Sequence, residues 1–183
     1  MSAARQLYKG RIIDLRLEEV TLPGGAVTTL EIVRHPGAAA IVAVHEDGEV
    51  TLIHQFRHAA GGFIWEVPAG VLHHGEEPAA CAARELREET GLLAGELVAL
   101  GTYLPSPGFC DERIHLFLAQ QLTMAVQQLD DDEVLAVTRV PFARALAMIR
   151  SGELRDGKSI AALHLAGMRL GFLRELEPRG RKP

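Results

Sequence analysis

The sequence predicts an α+β domain in which helices pack on a largely antiparallel or mixed β-sheet. Three observations carry this expectation. Alternating and β-branched stretches fill most of the first seventy positions. One stretch of helical period, Pro78 to Thr90, interrupts the strands, and two further helical stretches lie toward the end.

The elements follow in order. RIIDLRLEEVTL alternates in part, Pro23 to Gly25 is a turn, and AVTTLEIV is rich in β-branched residues. AAAIVAVH and EVTLIHQF form a hairpin, with Asp47-Gly48 supplying the positive φ angles of its turn. FIWEV is a short strand that runs into Pro68-Ala69-Gly70. The helix at Pro78 to Thr90 has proline in its first turn and Gly91 just past its end. ELVALGTYL and RIHLFLAQQL are strands around the loop PSPGFCDE. QQLDDDE is a polar loop before the strand VLAVTRV. PFARALAMIRSG is a helix bounded by Pro141 and Gly152, and SIAALHLAGMRLGFLREL is a longer one capped by Ser159.

The 183 residues suit one domain, and 48% hydrophobic residues suffice for a core. A net charge of −5 excludes a general nucleic-acid or membrane-surface binder, which needs a basic face. The one basic cluster, RGRKP, is read as a frayed tail. Cys81 and Cys110 form no CxxC pair and point to reduced thiols. No apolar run approaches a membrane span and the N-terminus lacks a signal segment, so the chain is expected in the cytoplasm.

Chemistry enters with Glu85, Glu88 and Glu89. At about 100° per residue they share one helix face, opposite Ala79, Ala83, Leu86 and Thr90, the expected buried stripe. Like charges at these spacings destabilise a helix by a few tenths of a kcal/mol per pair. Two readings follow. One is a solvated acidic face with Arg84 and Arg87 as partners. The other is a site for a hard divalent cation, Mg²⁺ or Mn²⁺, which prefers oxygen ligands and leaves room for phosphate oxygens.

Gly70, Glu76, Arg84-Glu85-Leu86, Glu88-Glu89 and Gly91-Leu92 also stand at the spacings of the Nudix box, and the segment resembles that family without a departure. The resemblance implies a Nudix fold, a mixed sheet sandwiched by helices with an N-terminal strand extension. It implies a hydrolase of nucleoside diphosphates linked to another moiety. Glu85 and Glu89 would bind metal, together with the Ala69 carbonyl, and Glu88 would ligate a second ion or act through water. Two or three Mg²⁺ or Mn²⁺ ions are expected. Glu76 and Arg84 would clamp the loop to the helix, between Gly70 and Gly91.

Pro107, in SPG, falls fifteenth after the box, which resembles the ADP-ribose pyrophosphatases. QFRHAAGGFIWEVPAG and LYKGRIIDL are similar to the same subfamily. The implied reaction is Mg²⁺-dependent hydrolysis of ADP-ribose to AMP and ribose 5-phosphate. Pro107 and Gly108 would border the substrate. Either Glu112 or Glu133 would orient or deprotonate the attacking water, since some relatives place the base in the later loop. Arg57 suits phosphate because a guanidinium matches its oxygens in a two-pronged way. Phe63 and Trp65 are candidates to stack on adenine, although aromatics at such spacing also serve as core. By resemblance to dimeric relatives, residues 1–37 would be a dimerisation region. Its Glu31 and Arg34 would reach a partner's pocket, and residues 38–183 would be the hydrolase domain. The rivals are a GDP-mannose or other nucleotide-sugar pyrophosphatase, and a catalytically silent nucleotide sensor. Against the sensor, every box glutamate is retained and no DNA-binding helix is evident.

Overall fold

The computed structural model describes residues 4–129 and 133–173. The RGRKP tail, the last residues of the predicted final helix and Asp130 to Asp132 lie outside the described residues. Ten strands and three helices run in the order β1 (Ala4–Lys9), β2 (Asp14–Thr21), β3 (Val27–Arg34), β4 (Ala38–Val44), β5 (Glu49–Arg57), β6 (Gly62–Glu66), β7 (Ala69–Val71), α1 (Pro78–Thr90), β8 (Leu92–Tyr103), β9 (Ile114–Met124), β10 (Leu135–Pro141), α2 (Phe142–Ser151) and α3 (Gly157–Arg169).

β1, β2 and β3 form a separate antiparallel sheet. The larger sheet has the order β10-β5-β4-β9-β8, with β6 beside β5 and β7 beside β4. Among the described residues only the β4–β9 pair of this sheet is parallel, so the sheet is mixed. Every residue of β4 is buried. That explains its unbroken apolar run, since a strand covered on both faces gains nothing from alternation. Ala39, Ile41 and Ala43 face Cys81, Ala82 and Leu86 of α1, while Ala40 and Val42 face Phe142, Leu163 and Ala166 of α2 and α3.

The AAAIVAVH–EVTLIHQF hairpin exists only at its base, where Ala43 and Val44 pair with Thr51 and Val50. Beyond that point β5 pairs with β6, and β7 takes its place beside β4. The sheet therefore splits at Glu66 to Pro68, where the Ile41 N–H donates to the Pro68 carbonyl at 2.9 Å. The hairpin turn also differs from expectation. Only Gly48 has positive φ, at 81°. The His45 carbonyl accepts from Gly48 and the Glu49 carbonyl from His45, which closes the strands without a left-handed Asp47. At α3 the cap is Asp156, whose carboxylate accepts from Ser159 N–H at 3.0 Å, and Ser159 lies inside the first turn. Leu170 closes the same helix at its other end, earlier than predicted. Among the described residues no helix is long and apolar enough to cross a membrane.

Candidate active site

Helix α1 is set by its two ends. Pro78 opens it without leaving an N–H unpaired. Gly91 ends it at φ 68°, donating to the Arg87 carbonyl, and the Ala125 carbonyl approaches so closely that a Cβ would press on it at 3.0 Å. The segment after β9 takes up the last carbonyls: Gln128 N–H donates to Glu88 O at 3.0 Å and the Gln127 amide to Glu89 O at 2.6 Å.

Burial on α1 departs from the predicted stripe. Glu85 is 8% and Glu89 1% exposed, whereas Ala79 and Ala83 face solvent. The buried arc runs through Cys81, Ala82, Glu85, Leu86, Glu89 and Thr90. The reason lies in β7. Gly70 has no side chain, and the Glu85 carboxyl occupies the space that a Cβ there would fill. Gly70→Ala is therefore expected to destabilise the protein by about 1–3 kcal/mol, as overpacking does, and to lower turnover with it. Thermal melts and initial rates check this, and an unchanged midpoint would mean that the carboxyl swings clear.

The crowded charges are answered within the protein. The Arg84 Nε and Nη2 donate to the two oxygens of Glu76, each at 2.9 Å. Its Nη1 donates to Glu85 at 2.6 Å and to Glu88 at 3.1 Å, and Nη2 also reaches the Val71 carbonyl. These bonds hold the Glu76 carboxyl down at about 2. Cys81 beneath them is buried, and burial pushes its thiol up to about 12, so it packs and does not react.

Glu89 has no such partner. Its carboxyl accepts from the Ala69 N–H at 2.8 Å. Burial pushes its carboxyl up to about 8 against the pull of that N–H, the charges of Glu85 and Glu133 add to the rise, and Arg57 opposes it. Burial also raises Glu85, with Arg84 opposing and Glu88 and Glu133 adding. Glu133 thus lies near enough for its charge to act on both carboxyls, and Arg57 near enough to act on Glu89.

Glu112 precedes β9, half-buried, with His35 Nδ1 3.6 Å away. Beside it, Arg34 is tied to Glu18 at 2.9 and 2.6 Å and to Asp111 at 2.9 Å. Glu18, Arg34, Asp111 and Arg113 line a hollow of about 270 Å³ together with Pro107. Pro107 and Gly108 form the turn in which the Ser106 carbonyl accepts from Phe109 and Cys110. Glu31 is exposed on β3. Trp65 stacks on His54, ring centroids 4.5 Å apart, and packs against the core beneath α2 and α3. Neighbouring strand residues point to opposite faces, so Trp65 is turned away from its neighbour Glu66 and from the groups gathered around Glu89. Phe63 is half-exposed beside Phe56 on that same far face.

Two residues that sequence reasoning passed over complete the site. Glu66, 1% exposed, receives both Nε and Nη2 of Arg57 at 2.9 Å, and Lys158 Nζ at 2.5 Å. An acid inside the apolar strand FIWEV was the available signal, since a buried carboxylate requires a cation.

Among the described residues no three His, Cys, Asp or Glu side chains converge on a metal-holding point. Arg84 draws Glu85 and Glu88 to itself, and Glu89 turns to the Ala69 N–H. The donor set nonetheless fits a hard divalent ion in kind. The Ala69 carbonyl, Glu85, Glu88 and Glu89 offer only oxygen, and Glu89 is a buried acid whose ionised form has no basic side chain bonded to it.

Residues 33–163 match the family model of the NUDIX domain. The chain is 42% identical over 163 residues to an ADP-ribose pyrophosphatase of Bacillus subtilis (strain 168), covering 88% of each chain. It is 37% identical over 160 residues to a methanol dehydrogenase activator of Bacillus methanolicus, covering 86% of each. A solved structure described as an ADP compounds hydrolase shares the fold, with a TM-score of 0.80 over 93% of this chain and 92% of that one, at 21% identity.

Proposed function

Because the chain belongs to the Nudix family and is a pyrophosphohydrolase within it, we propose that it hydrolyses ADP-ribose to AMP and ribose 5-phosphate with Mg²⁺ or Mn²⁺. The observation that carries this reading is the pair of buried carboxyls at Ala69-Gly70: Glu85 fills the space that a Gly70 Cβ would take, and Glu89 accepts from the Ala69 N–H at 2.8 Å. The similarity to the B. subtilis ADP-ribose pyrophosphatase supports the choice of substrate.

The Ala69 carbonyl, Glu85, Glu88 and Glu89 would hold two or three ions. A divalent ion held there would supply positive charge to the diphosphate and acidify the attacking water. The protein's own groups do the rest. Arg57 offers a guanidinium to a phosphate oxygen. Glu133, at the mouth of β10, orients the attacking water and accepts its proton. We favour it over Glu112 because its charge acts on both Glu85 and Glu89. One water adds across one P–O bond of the bridge, and the two products leave as phosphomonoesters. The burial of Glu89 keeps bulk water from its carboxyl.

Residues 1–37 are proposed as a dimerisation region and residues 38–183 as the hydrolase domain, with Glu31 and Arg34 reaching the pocket of a second copy. A cytoplasmic setting belongs to the same reading, and the free thiols of Cys81 and Cys110 agree with it.

The test is hydrolysis in ¹⁸O-water with Mg²⁺, comparing ADP-ribose with GDP-mannose. Label in AMP or in ribose 5-phosphate identifies the phosphorus attacked. Faster turnover of GDP-mannose would replace the substrate assignment. Glu133→Gln should lower kcat about 10²-fold or more, with Glu112→Gln changing it much less. The reverse ranking would move the base to Glu112.

A further inference from the structure

Arg57 is held from behind by an ion network that the proposed chemistry leaves unused. Its Nε and Nη2 are committed to the two oxygens of Glu66, both at 2.9 Å. The same Glu66 Oε2 accepts from Lys158 Nζ at 2.5 Å. Lys158 lies in the first turn of α3, 92 residues further along the chain, and its ammonium also reaches Asp156 at 3.0 Å. Asp156 caps that helix through the Ser159 N–H, and the Ser159 hydroxyl accepts from the Val67 N–H at 2.8 Å. Helix α3 is thus bonded into the split between β4 and β6, directly behind Arg57.

Two consequences follow from the chemistry of these groups. A guanidinium gripped by Nε and one Nη has its plane fixed, and the other Nη is the edge left for a ligand. A buried carboxylate paired with one arginine alone would cancel that arginine's charge. Lys158 is a second cation on the same carboxylate, so Arg57 keeps more of its attraction for an anion.

We propose that Lys158 is a positioning residue for the hydrolysis: acting through Glu66, it sets the plane of Arg57 and preserves its charge for a substrate phosphate. This rests on the reading of Arg57 as a phosphate contact. Its test is a double-mutant cycle on kcat/KM for ADP-ribose, using Lys158→Met and Arg57→Ala. Lys158→Met should lower kcat/KM on the order of tenfold, the scale of one charge-assisted hydrogen bond, mainly through KM. Lys158→Arg should restore most of it. In the Arg57→Ala background the same change should cost little more.

An equal loss in both backgrounds would make Lys158 a packing residue and overturn the proposal. So would a folded Lys158→Met protein with unaltered kcat/KM. If Arg57→Ala alone left kcat/KM intact, the premise would fall first, a result distinct from any failure of Lys158. Should Lys158→Met not fold, Lys158→Gln replaces it in the cycle, with the same rise in KM expected and an unchanged KM counting against.

Discussion

Glu89→Gln is expected to stop hydrolysis and, in the same protein, to raise stability at pH 8 when no cation is present. Glu89 is 1% exposed, and burial lifts its carboxyl to about 8 from an ordinary value of 4.5. Between those two values the folded state binds a proton that the unfolded chain has released. The contribution of Glu89 to stability is therefore fully present below pH 4.5 and is lost as pH rises through about 8. Glutamine never ionises, and its side-chain oxygen still accepts from the Ala69 N–H. The variant should match the parent near pH 5 and exceed it by on the order of 2 kcal/mol above pH 8. Activity should fall about 10³-fold, the several kcal/mol that a lost ligand of a catalytic ion represents. Melting curves with a chelator from pH 5 to 9, beside kcat measurements, check both halves. A variant less stable than the parent at pH 8 would mean that Glu89 is ionised and well paired in the fold.

Arg84→Met should give the largest loss of stability. One guanidinium serves Glu76, Glu85 and Glu88 and is itself only 20% exposed. Removing it leaves three carboxylates around an uncharged side chain. The expected cost is about 3–5 kcal/mol, as for breaking a largely buried ion pair. The pH dependence has the opposite sign to that of Glu89. The Glu76 carboxyl is depressed to about 2 by Arg84, so its contribution is present above the ordinary 4.5 and lost as pH falls toward about 2. The gap between parent and variant should therefore narrow on acidification from pH 6 to pH 3. A gap that widened would assign the stabilisation to some other pair. Turnover should fall as well, because Glu85 and Glu88 lose the group that orients them.

Much of this architecture was legible because the decisive signals are local. Pro78 and Gly91 fix the ends of α1 through backbone geometry alone, and the apolar run of β4 announces a strand. The box spacing placed Glu76 within reach of Arg84. What stayed hidden depends on partners distant in sequence. Periodicity put Glu85 and Glu89 in solvent, since nothing within α1 reveals that Gly70 leaves a slot for one carboxyl. The splitting of the sheet arises where β5 exchanges β4 for β6, a pairing that no local pattern encodes. Lys158 and Glu66 are ordinary residues until the fold brings them to 2.5 Å. Asp156 and Ser159 are both good capping residues three positions apart, and only the backbone geometry decides between them.

The central claim, that the oxygens around Gly70 exist to hold a divalent ion against a diphosphate, is tested most directly by titrating Mn²⁺ into cation-free protein. Isothermal titration at pH 7 in two buffers of different ionisation enthalpy reads both the affinity and the protons released. The account predicts binding by the parent with release of a proton from Glu89, and loss of that binding in Glu85→Gln and Glu89→Gln. Equal Mn²⁺ affinity in all three proteins would contradict it.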